Sequence, residues 1–484
     1  MKLQFGKKPV SKASDKLGRD RQENKIYYSC VVDASTVFYW QTWNLVNSLI
    51  KLAQVSPAQI FVHYTPEVDP LFIRELNKIE VNLKPIKRFG DGKYCNKIAQ
   101  LSTKEFATAT GVFLLDTDMV ALEELAELYT PNTICGKIVD LANPQLSVLK
   151  NIFRQAGFKK FPALRRVDYQ FKNTFKNNFN GGLYVVPGTL IDTLRERWMH
   201  WALWLLDNLD LLIKVNKQAH VDQISFAMAT HELSVKTKNV GRKYNYPIHL
   251  PQAKKGYPKL IHYHRNISPT GNLEVNGRMD RKFQSAVKDA NKLFGDRFNN
   301  QIFWSCRYQL FPELGSGVGS RGKNLAYKQQ LLKTYGVETC KSILDIGCGD
   351  LEVVKELNIV NYTGIDVSPQ AIKIARQKRP DWNFFLLDGD RHAQIPQADM
   401  VICFEVLIHQ PDFSSYQQLI DFLVAQTHHK LIVSGYTKAQ PHHQSNHMVN
   451  FHESLIDSLE RKQLFSHIEV IGEHSDVRVV LAVK

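Results

Sequence analysis

No apolar run in this chain approaches the roughly 20 residues that a membrane-spanning helix requires, although hydrophobic residues fill 44% of its 484 positions. That hydrophobic content therefore has to be buried in globular cores. Cysteine is scarce: Cys30, Cys95, Cys135, Cys306, Cys340, Cys348 and Cys403 are odd in number and include no C-x-x-C pair. This argues against a zinc knuckle or redox centre and fits reduced thiols. The first 25 residues carry eight Lys/Arg and three Asp/Glu. They lack the apolar core of a secretory signal, so a cytoplasmic location is expected, and they read as a flexible, solubilising basic tail. Negative charge is short in the front of the chain. Residues 1–315 hold 45 Lys and Arg against 28 Asp and Glu, whereas 316–484 hold 17 against 19. The front should meet an anion, and charge alone does not rank a nucleotide diphosphate, a lipid-linked acceptor, a membrane surface or nucleic acid.

The length suits two domains. From Ile26 the pattern runs strand, helix, strand (IYYSCVVD, a helix near Phe38 to Ala53, then AQIFVHYT), the start of an alternating α/β domain. A second cycle leads from VNLKPIKRF through a short helix near Lys97 into GVFLLDTDMVAL. Val112 to Leu115 are apolar without alternation, as in a strand covered on both faces, and ligands of open parallel sheets sit at the carboxyl ends of such strands. Asp116 and Asp118 stand at that end. Carboxylates two residues apart there can converge on a hard divalent cation, although a solvated strand end followed by a turn reads the same way. Further on, Asn177 to Pro187 (NNFNGGLYVVP) sets a Gly-Gly turn at a strand where backbone can approach a ligand closely. Trp198, Trp201 and Trp204 recur along one helix face and read as packing rather than a stacking platform. Asp222 and Gln223 open an apolar helix, where an acid also serves as an N-terminal charge. His262 and His264 lie two apart on an expected strand, hence on one face.

In this order the motifs resemble the GT-A glycosyltransferases, particularly the glycogenin-like and bacterial lipopolysaccharide galactosyltransferase type. The matches are Asp116 and Asp118 (D-x-D), Phe179-Asn180-Gly181-Gly182 (F-N-x-G), Asp222-Gln223, and His262-Tyr263. The resemblance covers roughly residues 27–270. It implies a nucleotide-sugar donor and a glycan or lipid-linked acceptor, with Mn or Mg held by Asp116, Asp118 and a histidine, His262 or His264. It also implies nucleotide contacts at Asn96, Lys97, Asn180 and Gly181, and catalytic roles for Asp222 and Gln223. Arg265-Asn266-Ile267-Ser268 stands where the family has Gly and Lys-Pro-Trp.

Residues 271–315 read as a polar connecting helix or linker. GSGVGSRG (315–322) lacks the Gly-Lys-Ser/Thr ending of a phosphate loop and reads equally as a cover for the next domain's ligand or a plain linker. From Ser342, SILDIGCGD runs a strand into a glycine turn, with a helix expected from Leu351. NYTGIDVS ends in Asp366, 21 residues after Asp345, the spacing at which an acid can bind ribose hydroxyls. NFFLLDGD carries Asp388, and ADMVICFEVLIHQ leads to Glu405 and His409. The set resembles the class I S-adenosylmethionine-dependent methyltransferases over roughly 320–484. That resemblance assigns Asp345, Gly347 and Gly349 to the cofactor loop, Asp366 to ribose and Asp388 to adenine. Transfer to a hydroxyl needs a base, and a histidine suits it. His409 and the loop histidines His442, His443, His447 and His452 are the candidates.

The expected protein is thus α/β with a tail (1–25), a GT-A nucleotide-sugar-binding domain (26–270), a connection (271–315) and a Rossmann-like class I methyltransferase domain (316–484). Two rivals keep the methyltransferase and make the basic front half a non-catalytic module, for nucleic acid or for sugar. The F-E-V-L after the fourth strand lacks the Asn/Asp-Pro-Pro-Tyr of base methylators, and the tryptophans lie in an apolar helix, so nucleic acid is the weaker partner.

Overall fold

The computed structural model describes residues 25–250, 255–387, 395–440, 448–474 and 476–484. Its strands are β1 (Ile26–Val32), β2 (Ile60–Tyr64), β3 (Asn82–Pro85), β4 (Gly111–Leu115), β5 (Met119–Ala121), β6 (Thr133–Ile138), β7 (Leu164–Arg166), β8 (Asn173–Phe175), β9 (Phe179–Pro187), β10 (Lys236–Asn239), β11 (Tyr246–Pro247) and β12 (Leu260–His262). They continue as β13 (Ile343–Ile346), β14 (Tyr362–Asp366), β15 (Asn383–Leu386), β16 (Ala398–Cys403), β17 (Thr427–Gly435), β18 (His467–His474) and β19 (Val477–Val483).

The front of the chain builds a seven-stranded mixed sheet in the order β10-β6-β9-β4-β1-β2-β3, parallel except that β9 runs against both β4 and β6. All five residues of β4 are buried, because separate apolar clusters cover its two faces. Phe113 and Leu115 belong to one cluster and Val112 and Leu114 to the other, the alternation a pleated strand imposes. Trp198 and Trp201 are buried in the second cluster, so they act as packing. A small sheet, β11-β12-β5, brings β12 antiparallel to β5, the strand that leaves the D-x-D. That pairing is what carries His262 back to Asp118.

Residues 271–315 fold into two helices, Arg281–Asp296 and Asn300–Leu310. Asp280 and Asn299 cap them by accepting hydrogen bonds from Phe283 N and Ile302 N, and both helices bury apolar side chains in the first cluster. The second helix also packs on the helix Pro369–Lys378 of the C-terminal region.

The C-terminal strands form a second seven-stranded sheet, β15-β14-β13-β16-β17-β19-β18, parallel but for β19. The helix expected from Leu351 does not form. Leu351 takes a left-handed φ of 63° and residues 352–356 make turns instead, because that conformation cannot start an α-helix. Among the described residues, no helix is long and apolar enough to cross a membrane.

Candidate functional sites

At the carboxyl end of β4, Asp118 Oδ1 lies 3.2 Å from His262 Nε2 and Asp118 Oδ2 lies 3.4 Å from His264 Nδ1. The three residues can offer donor atoms within 4.8 Å of one another. The histidines do not share a strand face as the spacing suggested: β12 ends at His262, and His264 reaches Asp118 from a left-handed backbone of φ 54°. Such strain in a non-glycine residue persists only where surrounding structure enforces it, and it concentrates at functional sites.

Side-chain amides orient His262. Asn180 Nδ2 donates to Asp140 Oδ2 (2.9 Å), Asn245 Nδ2 donates to Asn180 Oδ1 (3.0 Å), and His262 Nδ1 faces Asn245 Oδ1 at 3.0 Å. Since that oxygen only accepts, Nδ1 carries the proton and Nε2 presents a lone pair to Asp118. Two acceptors facing each other at this distance require a proton or a cation between them. Burial opposes a charge on His262, but the Asp118 carboxylate outweighs it and holds the histidine above its ordinary value. Despite its own burial, Asp118 is held well below the usual carboxylate range by the two histidines. Gly182 is confined here: a Cβ would stand 2.9 Å from the His262 ring and 3.0 Å from Asn245 Nδ2.

Asp116 points elsewhere, into an ion pair with Lys97, whose ammonium also donates to the Gly181 carbonyl at 2.6 Å. Asp222 is buried in the same neighbourhood, its carboxyl pushed up to about 6 by burial against the opposing pull of Lys97. Gln223 donates to Asn178 Oδ1 (3.2 Å). Asn96 does not join this group. Its amide is spent on the preceding loop, accepting from Phe89 N and donating to the Gly92 carbonyl.

The second site lies on the C-terminal sheet, at a cavity of about 980 Å³. Gly347 (φ 80°) and Gly349 (φ 54°) shape the turn after β13. A Cβ on Gly347 would come within 2.2 Å of Val406 Cγ2. Asp366 accepts from Gly349 N (3.0 Å) and Ser368 N (2.8 Å), which ties the two strand ends together, while Ser368 caps the following helix. Burial pushes Asp366 up to about 6 and Asp345 to about 7, the latter accepting from the Tyr362 hydroxyl at 2.7 Å. His409 lines the cavity, and its Nδ1 donates to the Met448 carbonyl, which leaves Nε2 as an acceptor. Burial holds it below the ordinary histidine value, so the ring is neutral near pH 7. Asp388 and His447, like His442 and His443, lie outside the described residues. His452 is described and faces the Gln410 carbonyl (3.0 Å).

Three residues escaped the sequence reading: Trp304, Tyr308 and Lys328. Trp304 and Tyr308, one turn apart on the helix Asn300–Leu310, line the cavity from outside the strand-turn motifs. Ser316, in the glycine-rich segment, donates to Asp350 Oδ1 (2.7 Å) and faces the Tyr308 hydroxyl at 2.9 Å, so that segment forms a wall of the cavity. Lys328, fully buried, pairs with Glu405 Oε2 at 2.6 Å. An i, i+4 aromatic pair was the only signal available for Trp304 and Tyr308, and nothing marked Lys328.

A parallel sheet with a glycine turn after one strand, an acid closing the next and a deep cavity over both defines a Rossmann-like fold of the class I methyltransferase kind in the C-terminal region. More particularly, residues 344–425 match the family model described as a methyltransferase domain. Similar solved structures include a magnesium protoporphyrin IX methyltransferase from Synechocystis PCC 6803 with bound SAH, at 21% identity over 34% of this chain and 82% of that one, with a TM-score of 0.29. Another is the N-methyltransferase NodS from Bradyrhizobium japonicum WM9 in complex with S-adenosylhomocysteine, at 19% identity over 34% of this chain and 86% of that one, with a TM-score of 0.28. No curated protein matches the chain.

Proposed function

We propose a bifunctional transferase, in which the front half moves a sugar from a nucleotide sugar to a glycan-type acceptor and the C-terminal domain methylates the same class of acceptor from S-adenosylmethionine. For the methyl half, the observation that carries the reading is one cavity reaching from the Gly347 turn and Asp366 to His409. S-adenosylmethionine, when bound, supplies an electrophilic methyl on a sulfonium. Asp366 would accept hydrogen bonds from the ribose hydroxyls, and the Gly347–Gly349 turn would hold the rest of the cofactor through its amides. His409, neutral and with Nε2 left as an acceptor, would take the proton of an acceptor hydroxyl during transfer. His409→Gln should lower kcat about 10²- to 10⁴-fold while S-adenosylhomocysteine affinity, read by calorimetry, stays within twofold. Loss of affinity instead of rate would remove His409 as the base.

For the sugar half, support comes from the Asp118, His262 and His264 donors with Lys97 and Asp116 beside them. A small divalent cation fits this set, because a carboxylate and two imidazoles bring donor atoms within 4.8 Å of one another, and a cation would take the place of the proton shared between Asp118 and His262. Held by Asp118, His262 and His264, Mn or Mg would neutralise a departing diphosphate. Lys97 adds a buried positive charge, and Asp222, its carboxyl raised by burial, would accept or return a proton. The test is turnover of nucleotide sugars with and without Mn, in wild type and Asp118→Ala. Equal metal-dependent turnover in the variant would defeat the assignment.

A further inference from the structure

The hairpin β7–β8 belongs to neither large sheet. Its strands pair only with each other, Leu164 opposite Phe175 and Arg166 opposite Asn173, and it is anchored by Val167 and Phe175, both buried. Thr174 is buried with them, and most of the remaining side chains face outward. Phe171 is 91% exposed, Leu164 50% and Phe161 36%. Around them, Lys159, Lys160, Arg165, Arg166, Lys172 and Lys176 are all exposed, against a single acid, Asp168, in residues 159–176. Among the described residues, none of those six cations has a carboxylate within ion-pair reach. The Arg166 guanidinium lies 3.8 Å over the Phe171 ring, so cation and apolar group occupy one edge.

Exposed apolar side chains cost little singly, but Leu164 and Phe171 on the hairpin together with Phe161 just before it mark an interaction surface. A second copy of this chain is a poor occupant, because two such hairpins would confront like charge. A dissolved polyanion would use the cations and leave the apolar groups in water. An anionic bilayer uses both, since apolar tips enter the headgroup boundary while Lys and Arg remain at the phosphates. One such signal gives only marginal attachment, and two together hold a protein stably at the surface. We infer that the β7–β8 hairpin docks this protein on an anionic phospholipid surface. Tyr169, at the hairpin's end, donates its amide to the Asp140 carbonyl (3.0 Å), and the Asp140 carboxylate begins the amide chain to His262. Docking would therefore set the front site near a lipid-borne acceptor. That last consequence rests on the sugar-transfer reading, whereas the docking does not.

The test is sedimentation of the full chain with vesicles of phosphatidylcholine alone or mixed with phosphatidylglycerol. Wild type should sediment with the mixed vesicles only. Leu164→Ser with Phe171→Ser should lower the partition coefficient by about tenfold or more, with an unchanged far-UV spectrum. Arg165→Glu with Arg166→Glu should release the protein at physiological salt. The inference is overturned if wild type stays in the supernatant. It is equally overturned if the serine variant partitions like wild type, which would make the contact purely electrostatic. The basic first 25 residues are present in every sample, so differences report on the hairpin. No catalytic readout enters, and failure here leaves the sugar-transfer assignment untouched.

Discussion

Gly347→Ala tests the methyltransferase cavity at its tightest point. The residue has φ 80°, and the added Cβ would lie 2.2 Å from Val406 Cγ2. Two costs follow. Holding an L-residue in the left-handed region costs about 1–2 kcal/mol, and a carbon pair normally separated by about 3.5–4.0 Å must open by more than an ångström, an overpacking of about 1–3 kcal/mol. The variant should therefore lose about 2–5 kcal/mol, a large part of a typical domain's stability. A cycle with Val406→Ala separates the terms. With Cγ2 gone, the alanine at 347 should cost only its backbone part, and the coupling should be about 1–3 kcal/mol. Because two domains need not unfold together, the relevant calorimetric transition is the one that S-adenosylhomocysteine raises. The reasoning fails if Gly347→Ala stays within about 0.5 kcal/mol of wild type, or if its cost is the same in both backgrounds.

Asp345 gives a pH test. Its carboxyl stands near 7 in the fold against an ordinary 3.8, so between about pH 4 and 7 the folded state holds a proton the unfolded chain has lost, and this group's contribution to stability falls as pH rises. Asp345→Asn mimics the protonated group. Relative to wild type it should therefore gain up to about 1.4 kcal/mol per pH unit across that window and nothing further above it; a flat difference would refute the assignment, and buried histidines cancel in the comparison. Asn245→Ala should weaken Mn binding about 10- to 100-fold by calorimetry with Asp118, His262 and His264 intact, and unchanged affinity would show that the amide chain does not orient the imidazole.

Much of the C-terminal site was legible because its chemistry is local. Asp345, Gly347 and Gly349 sit on one strand and turn, and Asp366 ends the adjacent strand, so spacing along the chain maps onto spacing in space. The front site was legible only in part. Asp118 and His262, singled out from their motifs, do stand together, but Asn96 is spent on its own loop, and Asn245 and Asp140 carry no signature because their meaning lies in an amide chain linking four distant segments.

By itself the sequence determined the periodicities, hence which strands are buried on both faces, where glycine permits a tight turn and which acids close strands. Those are properties of a few consecutive residues, governed by sterics and hydrophobic pattern. Tertiary structure decided the rest. It set the antiparallel pairing of β12 with β5 that returns His262 to Asp118, the left-handed residue that brings His264 alongside, and the helix Asn300–Leu310 that joins the front core while packing on the helix Pro369–Lys378. It also folded residues 315–322 into a wall of the cavity. Each depends on contacts between residues far apart in the chain, whose free energy exists only once both partners have been brought together.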